Sequence, residues 1–196
     1  FLHGSNGNFK APNTSTNTLA INAGVVYKNK PIPDYIPRGP RERYTEPIGF
    51  NFALNMGLNE SDYVGLGQEP FLILTAYADK RLSKKSTILA GAEFFFSKFL
   101  KNEIEFLSVA FPSFGVTKDQ DWKRAGVFVG HELRFNKTAL MTHAGYYVYY
   151  PYDFEGRFYQ RVGLKHYIQE KYFVSAAVKT HGAKAEAVEF GLGIRL

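Results

Sequence analysis

The sequence predicts an all-β fold: an antiparallel transmembrane β-barrel of the bacterial outer membrane, with eight strands expected and ten as the alternative. Three observations predict it. From Glu46 onward the chain falls into segments of about ten or more residues in which apolar and polar side chains alternate. Aromatic residues make up 16% of the 196, with 18 Phe, 13 Tyr and one Trp, and there are 18 Gly; many aromatics and glycines with few helix signals argue for β structure. No run of about 18 apolar residues occurs, which excludes a helical membrane protein. The mean hydropathy of −0.24 is what alternating strands average to.

Taken in chain order, residues 1–17 are rich in Ser, Thr, Asn and Gly and are expected to form a flexible leader, with the barrel over 18–196. The start Phe1-Leu2-His3-Gly4 has no basic stretch followed by an apolar one, so the sequence reads as a mature or truncated form. Thr18 to Tyr27 is strand-like. Pro31, Pro33, Pro37 and Pro40, with Pro47 just beyond, mark 28–45 as an irregular connection. Strands are expected at 46–58, 70–81, 86–97, 123–134, 138–150, 156–167, 172–182 and 186–196. Short polar breaks separate several of them: Ser83-Lys84-Lys85, Asn136-Lys137 and Gln169-Glu170-Lys171. Longer breaks fall at 59–69 and 98–122. This alternation of short and long connections suits an outer-membrane barrel. Thr18–Tyr27 is a ninth strand candidate, and since an even number is expected, a strand hidden in 103–116 would make ten.

Side chains alternate across a strand, so each segment has two faces. Ile88, Ala90, Ala92, Phe94 and Phe96 share one face against Gly91 and Glu93. Ala125, Val127, Val129 and Leu133 oppose Arg124, Gly126, Gly130, Glu132 and Arg134. Phe158, Val162 and Leu164 oppose Arg157, Tyr159, Arg161 and Lys165. Val188, Phe190, Leu192, Ile194 and Leu196 oppose Glu189, Gly191, Gly193 and Arg195. The apolar set is expected to face lipid. The charged set, Arg157, Arg161, Lys165, Glu132, Lys179 and Arg195, is expected to form a network in a narrow lumen. An Arg or Lys facing lipid at mid-depth costs about 2–4 kcal/mol, so the sidedness should be firmly set. A soluble barrel or sandwich would invert it. Aromatics gathered near strand ends, Tyr146 to Phe154 and Phe94 to Phe99, favour the membrane reading because they resemble interfacial girdles.

The densest chemistry lies in Lys179-Thr180-His181-Gly182-Ala183-Lys184-Ala185-Glu186-Ala187-Val188-Glu189. A three-residue loop, Ala183 to Ala185, would set Gly182 opposite Glu186, His181 opposite Ala187 and Lys179 opposite Glu189. Lys179, His181 and Glu189 would then share the inner face. One outcome is structural: a Lys179–Glu189 ion pair with His181 filling the rim. The other is a His base oriented by a carboxylate and acting on a hydroxyl nucleophile.

The stretch Phe154 to Lys165, followed by Val178-Lys179-Thr180-His181 and by Lys184-Ala185-Glu186 through Glu189-Phe190-Gly191, resembles the Bacteroidota branch of the lipid A deacylase family, also labelled acyloxyacyl hydrolase. The resemblance covers residues 122–196 well and 46–99 more loosely. It implies an eight-stranded outer-membrane barrel that removes a 3-linked hydroxyacyl chain from lipid A. It also implies a His, a Ser two residues later and a downstream Glu, which map to His181, to Ala183, and to Glu186 or Glu189. Ala183 has no nucleophilic oxygen, and a triad without its nucleophile loses most of its rate advantage. Thr180 should point to the other face, and Ser175 lies about 20 Å down the strand.

No metal or other cofactor is expected: His131, His143 and His166 lack short ligand spacing, and Gly65-Leu66-Gly67 has no strand-to-helix setting. Asp119, Gln120 and Asp121 read as a solvated external loop. The net charge of +6 is spread over turns and alternate strand positions, which argues against nucleic acid. It suits a solvated surface or the phosphates of lipopolysaccharide. The expected partner is outer-membrane lipid. Two roles follow: an ester hydrolase carried by His181 with Glu186 or Glu189 and an unidentified nucleophile or an activated water, or an inert barrel serving as a structural or accessory subunit beside other outer-membrane proteins.

Overall fold

The computed structural model describes residues 2–5, 15–18, 24, 25, 27, 46–63, 65–169, 171–182 and 184–196. Two short strands, β1 (Leu2–Ser5) and β2 (Ser15–Thr18), pair antiparallel with each other. The proline-rich connection at 28–45 and Ala183 lie outside the described residues.

Eight strands close into a barrel: β3 (Gly49–Glu60), β4 (Gln68–Arg81), β5 (Ser86–Ser97), β6 (Arg124–Phe135), β7 (Thr138–Tyr149), β8 (Phe158–Ile168), β9 (Tyr172–His181) and β10 (Lys184–Arg195). Each pairs antiparallel with its chain neighbour, and β10 returns to β3 through Phe190↔Met56 to Arg195↔Asn51. Eight is therefore the barrel's strand number; of the ninth candidate Thr18–Tyr27, Thr18 ends β2 and residues 19–23 and 26 lie outside the described residues. The turns at 82–85, 136–137 and 169–171 gather at one end with both barrel termini. The 61–67, 98–123 and 150–157 connections gather at the other, with the β9–β10 turn. Asn136 opens its two-residue turn at φ 59, a left-handed conformation that Asn adopts more readily than most residues.

The hidden strand entertained at 103–116 is a helix, α1 (Lys98–Ala110), followed by a 3-10 turn at Pro112–Phe114. Phe99, Leu100, Ile104 and Leu107 are buried at helical spacing. They pack with Tyr152 and, at the edge, Tyr63, Trp122 and Phe154, so α1 lies over the long-connection end. No helix among the described residues is long and apolar enough to cross a membrane.

Apolar side chains cover the outside: Val129 is 62% exposed, Leu164 57% and Leu192 55%. So large an apolar surface is abnormal for a monomer in water. The inside is packed with aromatic rings and paired charges, and the void among Glu93, Glu132, Arg161 and Lys165 is about 20 Å³. The barrel is a filled wall, not a pore. Inner-face glycines permit that filling: a methyl group at Gly145 would overlap the Tyr159 ring. The expected aromatic girdle is only half external. Alternation turns Phe94, Tyr146 and Phe158 outward and Phe95 and Tyr147 inward, a register shift against β6 leaves Tyr149 outward, and Tyr150 and Tyr152 are buried in the connection beyond β7.

Candidate active site

Four charge layers fill the lumen. Near the short turns, Arg195 donates from Nε and Nη2 to Asp79 at 2.9 Å each. Just above, Lys165 donates to Glu132 at 2.8 Å and to Tyr77 at 2.6 Å, and Tyr167 donates to Glu132 at 2.6 Å. At mid-barrel, Arg161 donates from Nε to Glu189 at 2.6 Å and from Nη1 to Glu93 at 2.7 Å. Glu93 also accepts from Tyr159 at 2.8 Å and from Thr75 at 3.0 Å. These carboxylates hold buried cations that would otherwise be very costly to desolvate.

The fourth layer lies at the rim beneath the long connections. β9 ends at His181 and β10 begins at Lys184, with Lys184↔His181 and Ala185↔Thr180, and the register then steps to Ala187↔Lys179. The three-residue loop expected from the sequence is therefore a two-residue connection followed by a β-bulge at Glu186. The extra residue lets Glu186 join the inner face and restores the alternation from Ala187 onward. It also changes partners. Glu189 sits opposite Ala177 and takes Arg161, while Lys179 pairs with Glu186 at 3.0 Å instead of with Glu189.

Glu186 thus collects three donors: Arg124 at 2.7 Å, Lys179 at 3.0 Å and His181 Nε2 at 2.6 Å. His181 is buried against Tyr147, their rings stacked 5.8 Å apart. With Nε2 donating to a carboxylate, Nδ1 is the acceptor nitrogen, and it is buried without a hydrogen-bond partner. Glu155, from the 150–157 connection, completes the group: a ligand atom from each of Glu155, His181 and Glu186 lies within 4.8 Å of the others. Burial raises the Glu155 carboxyl above its ordinary value, the Lys184 ammonium lowers it, and Glu186 raises it again. Lys184 bridges Glu155, at 2.7 Å, and Asp62. The three ligand atoms have a spacing a metal ion would accept, but Arg124 and Lys179 already neutralise Glu186. The donor set suits proton transfer better than a divalent cation.

The structure therefore gathers His181, Glu186 and Lys179 at the rim. Glu189 and Arg161 lie one layer down, Lys165 and Glu132 lower still, and Arg195 at the short-turn end. Arg157, expected in the lumen, is exposed at the rim, where it donates to the Tyr147 carbonyl at 3.3 Å. Arg124, Glu93, Glu155 and Tyr147 belong to the networks without having been singled out. Alternation puts Arg124 and Glu93 on the inner face, but their partners Glu186 and Arg161 lie 62 and 68 residues away, beyond the reach of any spacing. Thr180, the hydroxyl adjoining His181 in sequence, does not replace the missing Ser, since it donates to Gln160 at 3.2 Å, while the buried Ser97 hydroxyl in this layer accepts from Arg124 at 3.2 Å. A family model described as acyloxyacyl hydrolase, C-terminal domain, matches residues 48–196, the whole of the barrel. No curated protein matches the chain.

Proposed function

We propose that this chain, which belongs to the acyloxyacyl hydrolase family, is an outer-membrane barrel hydrolysing an ester-linked acyl chain of lipid A. The observation that carries this reading is the 2.6 Å contact between His181 Nε2 and Glu186 beside a partnerless Nδ1. Glu186 fixes the tautomer and stabilises the imidazolium, as the acid of a triad does. With Ala183 at the nucleophile position, water is the attacking group. Water loses a proton to Nδ1 as its oxygen attacks the ester carbonyl. The tetrahedral intermediate collapses, the sugar alkoxide takes that proton from His181, and the fatty acid leaves. Arg124 and Lys179 place two cations beside the reacting centre, where negative charge develops. The apolar outer wall and the net charge of +6 support a membrane address and an anionic lipid partner.

A second reading is favoured by one observation. Glu186 is held by two cations as well as by His181, which is how a purely structural network would be built, and Ala183 offers no hydroxyl. On that reading the barrel is inert and serves as an accessory subunit of an outer-membrane complex. Mass spectrometry of lipid A from cells carrying the protein, lacking it, or carrying His181→Ala separates the two. The hydrolase reading expects one acyl chain fewer only with the unaltered protein. Identical spectra in all three reject hydrolysis, and stoichiometric co-purification of other membrane proteins in mild detergent would then support the accessory role.

A further inference from the structure

An imidazole–hydroxyl contact lies on the outer wall, at the opposite end from His181. Ser86 opens β5 and shares its outward face with the exposed Ile88. His131 on β6 shares its outward face with the exposed Val129. The register sets Ile88 opposite His131 and Ser86 opposite Leu133, which makes Ser86 and His131 diagonal neighbours. Ser86 Oγ lies 2.7 Å from His131 Nε2, within the distance a nucleophile and its base require. Beside His131 runs an open groove of about 630 Å³ on the outer wall, lined by Ile48, Ile88, Ala90, Val129, His131 and Ala144 among others. That volume is in the range of small-molecule sites, and the lining is apolar enough for an acyl chain.

We propose that Ser86 and His131 form a hydrolytic pair directed at the acyl ester of a glycerophospholipid, with Ser86 as nucleophile and His131 as base. The proposal rests on the membrane reading above, because the groove must meet lipid. It does not depend on His181. Two features select the lipid. The pair lies at the short-turn end, which in single-chain barrels faces the periplasm and the inner leaflet. The adjoining 82–85 turn carries the exposed Lys84 and Lys85, cations suited to a phosphodiester headgroup. Ser86 Oγ attacks the ester carbonyl as Nε2 takes its proton. The tetrahedral intermediate expels the glycerol alkoxide, which leaves as the alcohol with that proton. Water then attacks acyl-Ser86 and gives a proton to Nε2. The fatty acid leaves, and Ser86 recovers its hydrogen from His131.

The fold supplies its own comparison. Thr138 Oγ1 lies 2.9 Å from His166 Nδ1 on β7 and β8 at the same end, yet that imidazole does not line the groove, whereas His131 does and carries Ser86 at its edge. The test is covalent labelling of the purified full chain in detergent with a fluorophosphonate probe, the adduct being located by mass spectrometry. It is joined to an assay of fatty-acid release from phosphatidylethanolamine vesicles and from lipid A vesicles. The unaltered protein is expected to carry the adduct on Ser86 and to release fatty acid from the phospholipid. Ser86→Ala should abolish both, His131→Gln should slow labelling about a hundredfold or more, and Thr138→Ala should change neither. Folding of each variant is checked by the mobility shift of the unheated barrel on a gel. An unlabelled Ser86 in the folded, unaltered protein overturns the proposal whatever the lipid A spectra read. Release from lipid A alone, or release undiminished in Ser86→Ala, overturns it as well. If the protein stays in aqueous solution without detergent, the membrane reading itself has failed.

Discussion

At the residue scale the fold depends on how charges are held inside. Arg161 is fully enclosed between Glu189 and Glu93, and Tyr159 and Thr75 complete the shell around Glu93. Removing Glu93 would leave a guanidinium half paired and two hydroxyls without their acceptor. Breaking a buried pair by removing one partner costs about 3–5 kcal/mol. Glu93→Ala is therefore expected to lower markedly the temperature at which the unheated barrel loses its compact gel mobility. Lys118→Ala is the matched comparison: its pair with Glu105 is exposed on both sides, and such pairs contribute about 0–1 kcal/mol. Equal shifts for the two variants would contradict the layered account. Sequence parity alone identifies Glu93, Arg124, Arg161, Lys165, Lys179, His181 and Glu189 as inner residues. It cannot pair them, because pairing across a lumen depends on shear between distant strands and on the bulge at Glu186.

At the element scale, all eight strands are legible because period-two alternation is enforced wherever the two faces meet different surroundings. α1 is the element the sequence conceals. Its buried stripe has helical spacing, but Ser97 makes no capping hydrogen bond, and no acidic residue marks the first turn. The helix is held by tertiary contacts with the connections it covers. Glu103, buried on α1, accepts from Ser61 and, at 2.6 Å, from Tyr152, which ties the 61–67 and 150–157 connections to one point. Glu103→Ala removes that tie and leaves the Ser61 and Tyr152 hydroxyl protons without their acceptor, at a cost of about 1–3 kcal/mol each. Limited proteolysis is expected to cut the 98–123 connection of this variant well before the barrel strands, and faster than in the unaltered protein. Unchanged cleavage would mean that apolar packing alone seats α1. The β9–β10 connection shows the opposite failure of sequence reading. Parity correctly places Lys179, His181 and Glu189 inward, while the bulge that brings Glu186 in beside them leaves no mark that alternation can detect.

At the scale of the whole molecule, closure of β10 onto β3 removes the sheet edges, and the filled lumen leaves the outer wall as the surface on which an apolar medium can act. The rim chemistry of His181 and the outer-wall pair of Ser86 and His131 both take their meaning from that wall meeting lipid. The absence of cysteine makes the wall easy to interrogate, since any introduced cysteine is the sole labelling site. Nitroxide labels at Leu164 and at Leu192, two outward residues of β8 and β10, can be compared with one at Lys118 in the exposed 98–123 connection, all in reconstituted vesicles. The measurement is collision with oxygen against collision with a water-soluble nickel chelate. The account predicts that oxygen dominates at Leu164 and Leu192 and the nickel chelate at Lys118. Nickel collisions as frequent at Leu164 and Leu192 as at Lys118 would place the wall in water and contradict it.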